Sequence, residues 1–431
     1  ENPFITRHIV AGFGHLEKLG VDLEGESSTI KKALEFLDRE LLEAEASPQN
    51  DDLSFYKTTS ALHYLYARSF FMEEFPPGKE LSEVIVKIIA AQKEHWLERT
   101  LYDKALLLTI LPRFDEKELA EQILISLEES AVRSEDYGMY WKENTPGWFW
   151  YRAPIETQAL LIEGFSEVGT APEAVEEMKI WLLQNKRTNH WPTTKSITEA
   201  VYALLLQGAD WLQLEDNTLI QVGGKPLPQE KLAETKKEAG TGAINLTWKG
   251  EEVRESFSEI RIVNKNEVPG YGGAYWQYFE DLDKIKSNSE SPLNIEKELY
   301  LNVSGASGNT LKRITPETRL KPGDLVTVRL VVRATADMDY IHLKDMRASG
   351  FEPTSVMSEY KYQDGTAYYE STRDAATHFF FDRLRKGTYV LEYTVRANNA
   401  GNFSNGITTI ESMYAPEFSG HTKGVRVNIG E

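Results

Sequence analysis

The sequence predicts a multidomain α + β protein in which helices come first and strands second. Two observations carry this. The spacing of apolar residues changes from three or four to two near residue 213. Glycine usage changes at the same place, with 10 of the 29 glycines before residue 213 and 19 after it. Along residues 1–212, Ile5, Ile9, Phe13 and Leu16 form one stripe, and Ile30, Leu34, Leu37 and Leu41 form another. Further stripes cover 55–71, 80–97, 102–111, 116–131, 155–168, 172–185 and 195–208, broken at Gly20, Pro76-Pro77-Gly78, Pro112, Pro146-Gly147 and Gly169. About nine helices joined by short loops are expected. Three short runs resemble one another: Thr59-Ser60-Ala61-Leu62, Thr157-Gln158-Ala159-Leu160 and Thr198-Glu199-Ala200-Val201. A small residue at a recurring helix position lets neighbouring helices approach, so the hairpins are expected to curl into a ring or solenoid.

After Leu212 the alternation of Ala243–Trp248, Glu259–Val263 and Leu299–Val303 predicts strands. Lys321-Pro322-Gly323-Asp324 is a turn that launches Leu325–Arg333, and Arg385-Lys386-Gly387-Thr388 launches Tyr389–Arg396. The polar run Lys286–Pro292 reads as a linker, which leaves 213–290 as a small β unit and 291–431 as a C-terminal β-sandwich.

Composition narrows the function. With 48 Lys and Arg against 67 Asp and Glu, the formal charge is −19, which opposes binding to nucleic acid. The absence of cysteine removes disulfides, thiolate zinc sites, cysteine nucleophiles and thioesters from this chain. No apolar run approaches the length of a membrane-spanning helix, and Glu1-Asn2-Pro3 lacks the features of a signal peptide. No metal or cofactor is expected: His8 and His15 share a helix but lie seven residues apart, too far to chelate one ion without a third ligand. No phosphate loop, nucleophile elbow or zinc-protease motif occurs, so no catalytic residue is assigned.

Two segments invite a ligand. Tyr137, Tyr140, Trp141, Trp148, Phe149, Trp150 and Tyr151 surround Pro146-Gly147 in a stretch expected to be mostly loop. Aromatic platforms beside acids such as Glu143 and Glu156 are how helical-ring carbohydrate enzymes hold sugars, and glycoside hydrolysis needs a pair of carboxylates. The simpler reading, preferred here, is that these rings pack a long loop against helix ends. The second segment, Gly270-Tyr271-Gly272-Gly273-Ala274-Tyr275-Trp276-Gln277-Tyr278-Phe279-Glu280, is read as a tight turn entering an edge segment whose aromatics cover a sheet.

Three blocks resemble the bacterial alpha-2-macroglobulin-like proteins. Trp181-Leu182-Leu183-Gln184-Asn185-Lys186-Arg187 followed by His190–Leu204 is similar to the last helical hairpin of the family's thioester domain. Ala274–Glu280 with Leu282-Asp283-Lys284 is similar to the segment that follows that domain. Lys321–Asp324, Ala348–Pro353, Phe380–Leu384, Lys386–Tyr389 and Met413–Glu417 together resemble the C-terminal macroglobulin-type β-sandwich. The resemblance implies an α/α-toroid over 1–212, the small β domain over 213–290 and the sandwich over 291–431. It also implies a non-catalytic C-terminal fragment of an endopeptidase inhibitor that traps proteases, working in the periplasm or on the outer face of the cell envelope. Its partners would be proteases, met through the intact protein, and other domains of that protein. The family's Cys-Gly-x-Gln thioester motif, its bait region and its N-terminal macroglobulin domains are not in this chain. The alternatives are an α/α-toroid lyase or hydrolase with an appended sandwich, and a purely structural or adhesive module.

Overall fold

The computed structural model describes residues 2–47, 55–134, 137–147, 153–191, 193–206, 218–234, 244–265, 272–288, 291–305 and 308–430. They divide into two compact units, one of residues 1–183 and 191–271, the other of 184–190 and 272–431.

Among the described residues of the N-terminal half, nine helices follow the predicted stripes: α1 (Pro3–Lys18), α2 (Ser27–Glu45), α3 (Thr59–Ser69), α4 (Lys79–His95), α5 (Leu101–Arg113), α6 (Lys117–Ser130), α7 (Pro154–Val168), α8 (Pro172–Thr188) and α9 (Thr194–Leu205). Their starts are written locally. The side chains of Asn2, Thr58, Thr100 and Thr193 accept hydrogen bonds from the first free N–H groups of α1, α3, α5 and α9. Gly169, at φ 74°, ends α7 in the left-handed conformation that glycine adopts without a side-chain clash.

Odd-numbered helices pack side by side, α1 on α3, α3 on α5, α5 on α7 and α7 on α9, while α2 and α6 each touch two of them from outside. Ion pairs join the C-terminal ends of α1 and α7, and those of α5 and α7, and a hydrogen bond joins the N-terminal ends of α7 and α9. The inner helices therefore run in one direction. Ala61, Ala159 and Ala200, the small residues of the three similar runs, all lie on inner helices and are buried there. Their short methyl side chains allow the close approach that the repeat predicts.

The helical half also holds a departure. The segment read as loop contains a short antiparallel hairpin, β1 (Val132–Ser134) with β2 (Gly138–Tyr140), where no strand was expected. Gly138 has φ 66°, and a Cβ there would collide with the carbonyl oxygen of Glu177. A three-residue ladder is too short to produce an alternating pattern, so its sequence looks like loop.

In the small β unit, β3 (Thr218–Val222) pairs with β4 (Lys225–Pro226) and with β5 (Ile260–Asn264). Residues 244–248, predicted as a strand, alternate between half-buried and exposed without joining a ladder. Burial pattern alone does not supply a hydrogen-bonding partner. The C-terminal sandwich is built from strands β6 (Leu293–Gly305), β7 (Gly308–Arg313), β8 (Arg319–Leu320), β9 (Leu325–Ala334), β10 (Met338–Met346), β11 (Phe351–Pro353), β12 (Glu359–Gln363), β13 (Thr366–Thr372), β14 (Ala376–Leu384), β15 (Gly387–Ala397), β16 (Gly401–Ser404), β17 (Thr408–Ser412), β18 (Ala415–His421) and β19 (Arg426–Ile429). One sheet runs β12-β13-β14-β10-β17-β18, a second β11-β15-β9-β6-β7, and a third, smaller one β16-β19-β8. Val326, Val328, Leu330 and Val332 of β9 meet Ile341, Leu343, Phe379 and Phe381 in one apolar core. In the predicted turn before β9, Asp324 accepts from the Lys321 N–H and Gly323 takes φ 96°.

Candidate functional site

The inner helices point polar side chains at their common axis, although their faces are otherwise apolar. At the C-terminal end, Glu163 of α7 accepts hydrogen bonds from Tyr66 Oη (2.5 Å), Arg113 Nη2 (2.6 Å) and Tyr202 Oη (3.2 Å). Arg113 also reaches Glu167 (2.7 Å) and Ser69 (2.9 Å) and lies 4.1 Å over the Phe70 ring. Lys18 pairs with Glu167. His15 Nε2 lies 2.6 Å from Tyr66 Oη, and its ring stacks on Tyr202 with centroids 3.7 Å apart. Two carboxylates face two cations here, so the buried charges compensate one another.

These contacts set the protonation states. Burial alone would raise the Glu163 carboxyl, but Arg113, the hydrogen bond from Tyr66 and the charge of Lys18 outweigh it, and the group stays below the usual carboxylate range. Burial holds His15 neutral, down at about 4. Burial also lowers Lys18 to about 8, with Arg113 acting in the same direction.

At the other end of the axis, Glu156 accepts from Ser196 Oγ (3.2 Å). Burial pushes Glu199 up to about 7 against the attraction of Lys195, and the carboxylates of Glu163 and Glu156 add to the rise. His8 packs on His63 with centroids 4.4 Å apart, and burial pushes it down to about 3. The two histidines of α1 thus serve different neighbours, His8 an aromatic contact on α3 and His15 a stack on α9. They do not converge on one point.

The aromatic segment divides. Trp141 is 2 % exposed, donates from Nε1 to the Leu127 carbonyl (3.0 Å) and tilts against Phe165. Tyr137 and Tyr140 are half-buried. Trp148, Phe149, Trp150 and Tyr151 lie outside the described residues. Glu143 is on the surface, whereas Glu156 is buried, so the two acids named together in the sequence occupy different environments. The reading of the glycine-aromatic motif is corrected: Tyr275, Trp276, Tyr278 and Phe279 cover no sheet and are exposed, in a stretch without strand pairing. Glycine and aromatic content suggests both a covered edge and an exposed loop, and only the pairing partner separates them.

Sequence reasoning missed the axial residues Tyr66, Arg113, Glu163, Glu199 and Tyr202, and also a buried group in the sandwich. There Lys297 of β6 donates to Asp345 of β10 (2.6 Å) and to the Met346 carbonyl (2.7 Å), while Tyr393 and Thr408 donate to Asp345 (2.5 Å each). Both charged side chains are essentially inaccessible. The available signal was a charged residue at an inward-facing strand position.

Residues 293–417, which span most of the sandwich, match the family model of the bacterial alpha-2-macroglobulin MG10 domain. Over the sandwich the chain is therefore similar to the bacterial alpha-2-macroglobulins. An alpha-2-macroglobulin homolog of Nostoc sp. is 21 % identical over 306 residues, covering 66 % of this chain and 15 % of that protein. A "Circularly permutated Ras protein 2" of Dictyostelium discoideum is 28 % identical over 111 residues, covering 26 % of this chain and 3 % of that protein. The chain thus spans a small part of the curated relatives it matches. Among solved structures, trypsin-activated Escherichia coli alpha-2-macroglobulin is similar over 100 % of this chain and 28 % of its own, at 16 % identity and a TM-score of 0.43. Native E. coli alpha-2-macroglobulin from domain MG7 to the C-terminus is similar over 100 % of this chain and 63 % of its own, at 14 % identity and a TM-score of 0.32. Among the described residues no helix is long and apolar enough to cross a membrane.

Proposed function

We propose that this chain is the C-terminal, non-catalytic part of an alpha-2-macroglobulin-like endopeptidase inhibitor in the cell envelope, meeting proteases only through the intact protein. The helical region (1–212), acting as a toroid, the small β unit (213–290) and the sandwich (291–431) serve as its three working parts. The match of 293–417 to the MG10 domain carries this reading. The chemistry at Glu163 supports it: both of its oxygens are engaged by Tyr66, Arg113 and Tyr202, so this carboxylate serves the packing of the helices rather than acid–base work. The burial of Trp141 removes one ring from any sugar platform. A trap needs a cleavable trigger and a shell with two states, which this reading assigns to the intact protein. Incubation of the chain with trypsin and with elastase, followed by size-exclusion chromatography, is therefore expected to show no stable complex. The intact protein carrying this region is expected to form one and to lose it when 272–431 are deleted. Capture by the chain alone, or undiminished capture after the deletion, would reject the proposal.

A further inference from the structure

The sandwich brings together two histidines that sequence spacing cannot pair. His342 of β10 and His378 of β14 are 36 residues apart. Their strands run antiparallel, with His342 opposite Phe380 and Lys344 opposite His378, so the two histidines are diagonal neighbours. Ile341, Leu343, Phe379 and Phe381, which alternate with them along the strands, fill the core. Both imidazoles therefore stand on the face of the sheet away from that core, half-buried.

His342 Nε2 and His378 Nδ1 face each other 2.9 Å apart. The two rings lie within 5° of parallel, and the Phe380 ring packs on His342 with centroids 4.8 Å apart and lies within 9° of parallel to His378. Three near-parallel rings on adjacent strands hold the two nitrogens in place before any ligand arrives. On the other side of His342, the carboxylate of Glu411 on β17 is 3.5 Å from Nδ1. A carboxylate in that position keeps the proton on Nδ1 and turns the lone pair of Nε2 toward His378, as is usual around metal-bound imidazoles. Burial lowers His378, and His342, Lys344 and Arg373 act in the same direction, so its ring is neutral at pH 7.

The spacing selects an ion. Two nitrogens each about 2.0–2.1 Å from one metal are roughly 2.9 Å apart at a right angle and about 3.3 Å apart at the tetrahedral angle. The separation of 2.9 Å matches the right angle, a geometry that nitrogen and oxygen donors give to Cu(II) and Ni(II) rather than to zinc. Among the described residues no group of three or more His, Asp or Glu converges on one point, so water would fill the remaining positions. Without an ion, the gap holds one proton, donated by His378 Nδ1 to His342 Nε2. Metal binding moves that proton to His378 Nε2 by tautomerisation and turns both lone pairs toward solvent; no proton is lost and no electron is transferred. Lys344 is exposed, which lets its ammonium extend into water away from the ion.

We propose that His342 and His378 form a surface site for one Cu(II) or Ni(II) ion, with Glu411 orienting His342. The inference stands apart from the protease reading, because it uses only the outer face of one sheet of the sandwich.

The test uses the full chain and Cu(II) alone at neutral pH. One equivalent is expected to bind with an electron paramagnetic resonance spectrum showing two imidazole nitrogens. His342→Gln and His378→Gln should each weaken that binding at least tenfold and remove one nitrogen from the spectrum, whereas Glu411→Gln should weaken it about tenfold and keep both. His190→Gln, at an exposed histidine elsewhere, should change nothing. A second readout needs no variant: in the unaltered chain, substoichiometric Cu(II) should broaden the ring resonances of these two of the eight histidines first. Unchanged affinity in the double variant, first broadening at other histidines, or a single-nitrogen spectrum in the unaltered chain would overturn the site. Tighter binding of zinc than of Ni(II) would overturn the assignment of the ion.

Discussion

Arg113 is the residue on which the helical axis depends most. It supplies the main compensation for Glu163, which is almost fully buried, and it also holds Glu167. Arg113→Met strands the Glu163 carboxylate and is expected to cost about 3–5 kcal/mol of stability, measured by denaturant unfolding. Adding Glu163→Gln should recover part of that loss, since a neutral partner no longer needs the cation. Titration follows from the same environment. His15 is held down at about 4, so the unfolded chain binds the extra proton first, and stability is lost as pH falls from about 6.5 through 4. Glu199 has the opposite sign: it is raised to about 7, so its contribution is complete below the ordinary carboxylate value and disappears as pH rises through 7. Melting temperature should therefore peak at mildly acidic pH. His15→Gln should flatten the acid limb and Glu199→Gln the limb toward pH 8, each by up to roughly 3 kcal/mol at about 1.4 kcal/mol per unit. None of these residues was legible as a group. Glu163 sits in Leu160-Leu161-Ile162-Glu163-Gly164-Phe165, where one acid in an apolar run hints at a buried partner. That partner lies 50 residues away on another helix.

Helices were the most legible elements, because a stripe at three- or four-residue spacing is local information and the caps beside it are local too. How they pack depends on contacts that sequence shows only as small residues. Gly14 marks the close crossing of α1 and α3, where a Cβ would collide with the Phe70 ring. Gly14→Ala is expected to cost about 1–3 kcal/mol through overpacking. Gly12→Ala, two residues away in open space, should instead stabilise α1 by about 0.5–1 kcal/mol. Equal effects of the two substitutions in thermal melts would contradict the packing described. Strands were legible where they were long, as for β9 and β15, and not where pairing alone defines them. The hairpin of β1 and β2 was missed, and 244–248 was given a pairing it lacks.

Two compact units should unfold as two transitions in a calorimeter, each with its own polar anchor. Lys297→Met leaves Asp345 buried with hydroxyl donors but no cation, and should lower the sandwich transition by the equivalent of about 3–5 kcal/mol. The transition of the helical unit should stay in place, as distant sites act independently. A shift of both transitions together would show that the units unfold as one. At this scale the order of the architecture, helices before strands, was legible from periodicity and glycine usage, and the likeness of the sandwich to the bacterial MG10 domain from blocks such as Lys321–Asp324 and Met413–Glu417. The filling of the helical interior was not, because it requires knowing which face of each helix turns inward. The polar groups of that interior are where the non-catalytic proposal and an enzyme differ. The most direct measurement is the release of new reducing or unsaturated ends when the chain is incubated with neutral and acidic polysaccharides, alongside Glu156→Gln. The account predicts no release above that of the variant, whereas release by the chain that Glu156→Gln abolishes would contradict it.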